Sequence, residues 1–298
     1  MRIQKIDFLK RNKYTCIQQR KEEAIMTKKI TFGNFKGGTG KTTNSTLISY
    51  HLAKQGFKTL LVDLDPQANA TSLLLKTAQN ETNEVISFSK TLMTAISEED
   101  LSSIVTPILD NLYLLPSFAD FTSYPLYLEK KFPNSQKDRV FYFKNLLSKI
   151  EDQYDYIIFD VPPTLSSYTD TAMVSSDYIV IVLQTQERSF VGAEAFIQYT
   201  QEMYNTYKDQ VDFDILGILP VLLKNTSKVD QTILEQAKTE FGEENIFKNV
   251  VKNMERVKRY DMIGITNPDS NARHDMHDKK VHALYSQITN ELLERLDK

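Results

Sequence analysis

Lys36-Gly37-Gly38-Thr39-Gly40-Lys41-Thr42-Thr43 sets two lysines, three glycines and three threonines within eight residues. Glycines let a backbone turn tightly and aim successive N–H groups at one anion. In such a loop Lys41 supplies positive charge for the β- and γ-phosphates of a nucleotide, and the Thr42 hydroxyl supplies a ligand for Mg²⁺. The apolar stretch Ile30-Thr31-Phe32 precedes the loop, and Leu47, Ile48, Leu52 and Ala53 recur at helical spacing after it. A strand feeding a glycine turn that opens a helix is the context a phosphate-binding loop needs. The positive end of that helix faces the same phosphates.

Three carboxylates belong to the same chemistry. Asp63 and Asp65 follow the apolar run at 59–62, and Asp160 follows Tyr156-Ile157-Ile158-Phe159. Continuous apolar runs of this length read as buried parallel strands. Ligands of an open α/β sheet bind at the carboxyl ends of its strands. The topology therefore brings the three acids and the lysine–threonine loop to one edge. Phosphoryl transfer is mainly a matter of placing Mg²⁺, cancelling charge and orienting water, which is what such a set can do.

The loop, with a lysine ahead of its glycines, resembles the deviant Walker A box of the ParA/MinD/nitrogenase-iron-protein superfamily. The resemblance implies that residues Lys36, Gly37, Gly38, Thr39, Gly40, Lys41, Thr42 and Thr43 surround ATP. It also implies that Lys36 reaches across a dimer interface to the partner's nucleotide. Asp63-Leu64-Asp65-Pro66-Gln67, with Asn69 beyond, resembles the ParA switch I box. From that likeness Asp65 is expected to position or activate the attacking water, and Asp63 to stand near Mg²⁺. The segment from Tyr154 to Thr164 resembles the ParA Walker B pattern, which implies that Asp160 holds Mg²⁺ through a water. The likeness to ParA runs from about Lys28 to the C-terminus and includes Leu112-Tyr113-Leu114-Leu115-Pro116 and Gly217-Ile218-Leu219-Pro220. Phe35 stands where the family usually has glutamine, and Lys252 and Met254 replace a proline and an asparagine often found near the adenine.

The implied function is an ATP-dependent DNA partition ATPase that hydrolyses ATP to ADP and phosphate. Its expected partners are a second copy of itself, nonspecific DNA and a small centromere-binding protein of the ParB type, of ribbon-helix-helix build. Its expected place is the cytoplasm, on the nucleoid and not on a membrane. Two other readings stay open: a membrane-associated positioning ATPase of the MinD type, and a biosynthetic ligase such as dethiobiotin synthetase. Cys16 is the only cysteine, which excludes an intramolecular disulfide and the paired cysteines of nitrogenase-type iron proteins.

The 298 residues carry 36 Lys and Arg against 39 Asp and Glu, so any DNA contact has to come from a local patch. Lys248, Lys252, Arg256, Lys258 and Arg259 form the densest basic segment beyond the N-terminus. The resemblance puts Arg256 on a DNA-binding arginine and Lys224 and Lys228 in a second DNA-contacting loop; Lys252 joins them as a candidate. A solvated helix face is the alternative, because Glu255 and Asp261 lie in the same run. The amphipathic segment 281–295, with Glu291 and Glu294, then Asp297, and no Phe, is expected to pack on the domain, since a membrane helix wants a lysine-rich polar face. No apolar run is long enough to span a bilayer.

Together these features predict an α/β, P-loop NTPase fold: a mostly parallel twisted sheet with helices on both faces. Strands are expected at 30–32, 59–62, 112–115, 156–159, 178–183 and 215–219, a helix at 41–54, and mostly helix over 77–150. Residues 1–27 read as a basic N-terminal extension and 28–298 as the ATPase domain. Lys21-Glu22-Glu23 can be encoded by a ribosome-binding sequence, so Met26 is expected to be a translation start.

Overall fold

The chain runs β1 (Lys28–Gly33), α1 (Lys41–Lys54), β2 (Thr59–Asp63), α2 (Asn69–Thr82), α3 (Leu92–Ser97), β3 (Thr106–Leu109), β4 (Leu112–Leu115), α4 (Tyr124–Lys131), α5 (Gln136–Leu147), β5 (Tyr156–Asp160), α6 (Ser167–Ser175), β6 (Tyr178–Gln184), α7 (Glu187–Tyr207), β7 (Asp214–Leu223), α8 (Lys228–Phe241), β8 (Val251–Lys252), α9 (Glu255–Ile263) and α10 (Met276–Leu296). This is a computed structural model that describes residues 26–82, 85–223, 227–267 and 276–297. The extension at 1–25, with Cys16, and Lys224 lie outside the described residues.

The eight strands form one sheet in the order β3-β4-β2-β5-β1-β6-β7-β8. Every pairing is parallel except β3 with β4. The apolar runs are continuous because both faces are covered. Ile30, Leu61, Ile158 and Val182 pack on the side of α1, α2, α9 and α10. Leu60, Val62, Ile157 and Phe159 pack on the other side, against α3 to α6, and Ile179, Ile181 and Ile218 continue that layer against α5 to α8. Fully burying one such side chain stabilises the fold by roughly 1.5–3 kcal/mol.

Strand order places the acids. β5 lies between β1 and β2, so Asp160 is in register with Phe32 on one side and Asp63 on the other. The carboxylates and the loop after β1 therefore meet at one sheet edge.

The expectation of mostly helix over 77–150 missed β3. Pro107 interrupts that segment's strand pattern, but β3 is the outermost strand, where a proline costs no ladder bond. Asp110-Asn111, with Asn111 at φ 63°, turns it back antiparallel onto β4.

The C-terminal helix α10 belongs to the core. Val281, Tyr285, Ile288 and Leu292 are fully buried. Glu291 is not part of a polar outer face: its carboxylate accepts the N–H groups of Lys248 and Asn249 at 2.8 and 3.0 Å and pairs with Arg295. Among the described residues no helix is long and apolar enough to cross a membrane. Where α10 crosses α1, His282 Nδ1 lies 3.2 Å from His51 Nε2, and both rings are buried.

Burial, with His282 and Lys54 nearby, pushes the His51 imidazole from its ordinary 6.5 down to about 3. Between those values the unfolded chain binds a proton that the folded chain excludes, so stability must fall as pH drops through that window. The slope from this one group is at most about 1.4 kcal/mol per pH unit. Urea midpoints measured between about pH 7 and pH 5 should decline, and His51→Gln should flatten the decline. An unchanged slope in the variant would remove His51 as its source.

Candidate active site

The loop between β1 and α1 is tied down at its start and left open at its end. Asn34 accepts the Lys36 N–H at 2.8 Å and donates to the Val182 carbonyl of β6 at 2.9 Å and the Ser189 carbonyl of α7 at 3.2 Å. Gly40, at φ 82°, precedes α1 in a left-handed conformation that a side chain rarely adopts. No side chain caps α1, and no acid sits in its first turn. Helices α3, α5 and α8 instead begin with Thr91, Ser135 and Ser227, whose hydroxyls accept a first-turn N–H. α1 thus keeps its first N–H groups and positive end for an anion.

Lys41 is buried and, in this state, donates to the Lys36 carbonyl at 3.3 Å. Burial holds its amine below the ordinary lysine range; Asp160 and Asp65 pull it back up, and Lys36 pushes it further down. Lys36 Nζ makes no hydrogen bond or ion pair among the described residues. Phe35, the residue in the glutamine position, fills its place by packing edge-on against Phe196 and Tyr199 of α7.

Asp160 is fully buried and accepts the Thr42 hydroxyl at 2.8 Å and the Ser45 hydroxyl at 3.1 Å. Burial raises its carboxyl well above the usual range, the Thr42 bond and Lys41 oppose that, and Asp65 adds to it. A hydroxyl beside a carboxylate fits Mg²⁺, a hard cation held by one or two protein oxygens, water and substrate phosphates. Among the described residues no cluster of three His, Cys, Asp or Glu offers an all-protein metal cage.

Asp63, expected near Mg²⁺, is held by hydrogen bonds within the chain. It is fully buried, it does not line the cleft, and both its oxygens are taken. One accepts the Asp65 N–H at 3.1 Å; the other accepts the Thr71 N–H at 2.9 Å and the Thr71 hydroxyl at 2.8 Å. Burial and then Asp160 raise its carboxyl, while the donated bonds lower it. Asp65 does line the cleft. One of its oxygens accepts the Gln67 N–H at 2.9 Å, and the other receives no hydrogen bond among the described residues.

The cleft is about 710 Å³ and runs from Gly38–Asn44 to the ends of β7 and β8 and to α9. Its far end carries the apolar side chains of Val221, Leu222, Val251, Met254 and Val257 beside Lys252, Lys258 and Asp261. The sequence placed Lys252 and Met254 near the adenine but named no contacts there, because this end is assembled from chain segments far apart in sequence. Gln67 and Asn69, quoted in the switch I likeness without a role, line the cleft, as do Ser72 and Lys76, which the sequence did not single out. The spacing of 69, 72 and 76, which puts three polar residues on one face of a helix directly after the Asp65 motif, was the available signal. Tyr285 of α10 lines the cleft too, its hydroxyl donating to Asn44 at 3.1 Å while Asn44 donates to the Gly40 carbonyl at 2.7 Å.

The basic candidates separate. Arg256 turns inward: its guanidinium grips both oxygens of Asp278 on α10, and its side chain is only 11% exposed. It fastens α9 to α10. Lys252 is exposed on β8 but lines the cleft, as does Lys258, which pairs with Glu255. Lys228 and Arg259 are exposed and away from the cleft lining.

A family model described as an AAA domain matches residues 27–213. The virulence plasmid ParA family protein pGP5-D of Chlamydia psittaci is 32% identical over 71% of this chain and 76% of its own. The chromosome-partitioning ATPase Soj of Treponema pallidum is 29% identical over 76% of this chain and 83% of its own. In fold the chain is similar to McdA of Cyanothece without nucleotide, with a TM-score of 0.73 over 91% of this chain and 99% of that one at 20% identity. Likeness of this extent to relatives in sequence, on a sheet edge that carries the loop and its acids together, shows that the chain belongs to the ParA family, of the Soj type of partition ATPase.

Proposed function

We propose that this chain partitions DNA by an ATP cycle: ATP closes two copies face to face, the closed pair binds nonspecific DNA, and hydrolysis releases it. The observation that carries this reading is the convergence, at one sheet edge, of an uncapped helix start, buried Lys41, the Thr42–Asp160 pair and Asp65. The α1 N–H groups and Lys41 hold the phosphates, Asp65 orients the attacking water, and Thr42 with Asp160 holds Mg²⁺. Mg²⁺ held there would neutralise charge on the nucleotide's phosphates. Lys36, whose amine makes no hydrogen bond or ion pair among the described residues, completes the partner's site. Residues 28–298 form the ATPase unit in this reading and 1–27 an extension to it. A small centromere-binding protein of ribbon-helix-helix type triggers hydrolysis on the nucleoid. Lys228 and Arg259 supply DNA contacts, with Lys252 at the cleft rim.

The test is retention of DNA by the purified protein with ATP, with ADP and without nucleotide. Retention with ATP alone supports the proposal. Binding to lipid vesicles in place of DNA would favour a positioning ATPase, and turnover only with a small carboxylic substrate a ligase; either outcome sinks it.

Lys41→Ala should weaken nucleotide binding by at least roughly a hundredfold, because a buried charge partner worth about 3 kcal/mol is lost. Lys36→Ala should bind nucleotide nearly normally but fail to dimerise with ATP in light scattering. Normal dimerisation by that variant would contradict the cross-subunit role.

Lys228→Glu combined with Arg259→Glu should weaken retention of every DNA sequence alike and reduce the salt slope by roughly two. Arg256→Glu should act on stability instead, costing about 3 kcal/mol by facing a buried Asp278 with a second acid. A Tm unchanged by Arg256→Glu, with DNA retention lost, would return Arg256 to the DNA surface.

A further inference from the structure

We infer that Thr71 is a positioning residue for ATP hydrolysis: through Asp63 it fixes the loop that carries Asp65. The inference rests on the reading of Asp65 as the group that orients water.

Within the loop between β2 and α2, the Asp65 carbonyl accepts the Ala68 N–H at 2.8 Å and its carboxylate accepts the Gln67 N–H at 2.9 Å. Ala68 sits at φ 54°, in the left-handed region that an alanine rarely adopts, so this path needs outside support. Asp63 supplies that support at both ends. Its carboxylate takes the N–H of Asp65, at the loop's start, and the N–H and hydroxyl of Thr71, just inside α2. The Thr71 hydroxyl does two things at one atom. It donates to Asp63 at 2.8 Å and accepts the Ser117 N–H at 2.9 Å, from the residue that follows β4 and Pro116. Thr71, Asp63 and Ser117 are all buried, so water has little access to replace a lost arm. A hydroxyl can donate and accept at once; a methyl group of the same size can do neither. The geometry therefore demands Thr or Ser at this position, for a reason of orientation and not of volume. Asp65 itself keeps one oxygen open at the cleft, and the brace sets where that oxygen points.

The test compares Thr71→Val and Thr71→Ser in the full chain. Val should lower kcat roughly ten- to a hundredfold through misplacement of Asp65, while KM and ATP affinity stay within about twofold. Ser should restore kcat. Amide exchange of the nucleotide-free protein should quicken at residues 65 and 71 in the Val variant and not in the Ser variant. Adding Thr71→Val to Asp65→Ala should cost nothing further, since both act through one group. Normal kcat in Thr71→Val, a Ser variant as slow as the Val variant, or a loss of ATP affinity that matches the loss of kcat would overturn the proposal. Normal turnover in Asp65→Ala is a distinct outcome: it brings down the reading of Asp65 first, and this inference with it. Asp63→Asn tests the same brace if the Val variant does not fold. It leaves one acceptor oxygen for two arms and should reduce kcat with an unchanged Mg²⁺ requirement. A raised Mg²⁺ requirement would assign Asp63 to the metal and overturn the brace.

Discussion

The fully buried carboxylate of Asp160 is the constraint around which the site is built. A carboxylate taken out of water needs donors or positive charge within reach, or it takes up a proton. Here the compensation comes from the loop itself: Thr42 and Ser45 donate to it, and Lys41 offsets its charge. That requirement pulls the first turn of α1 down onto the end of β5. It thereby fixes the direction in which the uncapped end of α1 faces the cleft. The same compensation gives Lys41 its place, since burial lowers its amine while Asp160 and Asp65 pull it back up. Strand order makes this possible, because β5 lies directly between the strand that feeds the loop and the strand that carries Asp63.

Two acids one strand apart cannot both be left to the same compensation. Asp63 and Asp160 stand in register on neighbouring strands, and Asp160 makes Asp63 harder to charge. The structure divides their partners: Asp160 is served by α1, and Asp63 by the backbone of the following loop and by Thr71. The division explains why a motif with two aspartates two residues apart yields one acid that braces and one, Asp65, that reaches the cleft.

What was legible in the sequence follows from the same physics. The loop, the strand-end acids and the parallel sheet were legible because phosphate chemistry needs particular residue types at fixed spacing, and because buried strands must be apolar throughout. The limits of α1 and β4 agree with the expected 41–54 and 112–115. The work of Asp63 was not legible, because it depends on a residue eight positions on and on Ser117 beyond β4. Nor was the inward turn of Arg256. A basic run looks the same in sequence whether its charges face water or one of them meets Asp278 across 22 residues. β3 was hidden by its proline, which only an outermost strand tolerates. Which partners Glu291 meets could not be read either, since they are the backbone N–H groups of Lys248 and Asn249, some forty residues away.

Helix α2 connects these pieces physically. It begins where the Asp65 loop ends, and Thr71 in its first turn is part of the brace. Its later turns hold α9: Lys76 donates to the Asp261 carbonyl at 2.6 Å, and Asn80 to the Ile263 carbonyl at 2.5 Å. Thr77 accepts the Ile265 N–H at 2.9 Å just past Gly264, whose φ of 80° and lack of a side chain allow the two backbones to touch. These bonds supply carbonyl partners that the end of a helix otherwise lacks. The loop that carries Asp65 and the helix that carries Lys258 and Arg259 are thus fastened to opposite ends of one element, which also lines the cleft through Ser72 and Lys76. Packed helices move as units because their interfaces do not deform continuously. The geometry at Asp65 and the seating of α9 thus both depend on where one helix, α2, lies.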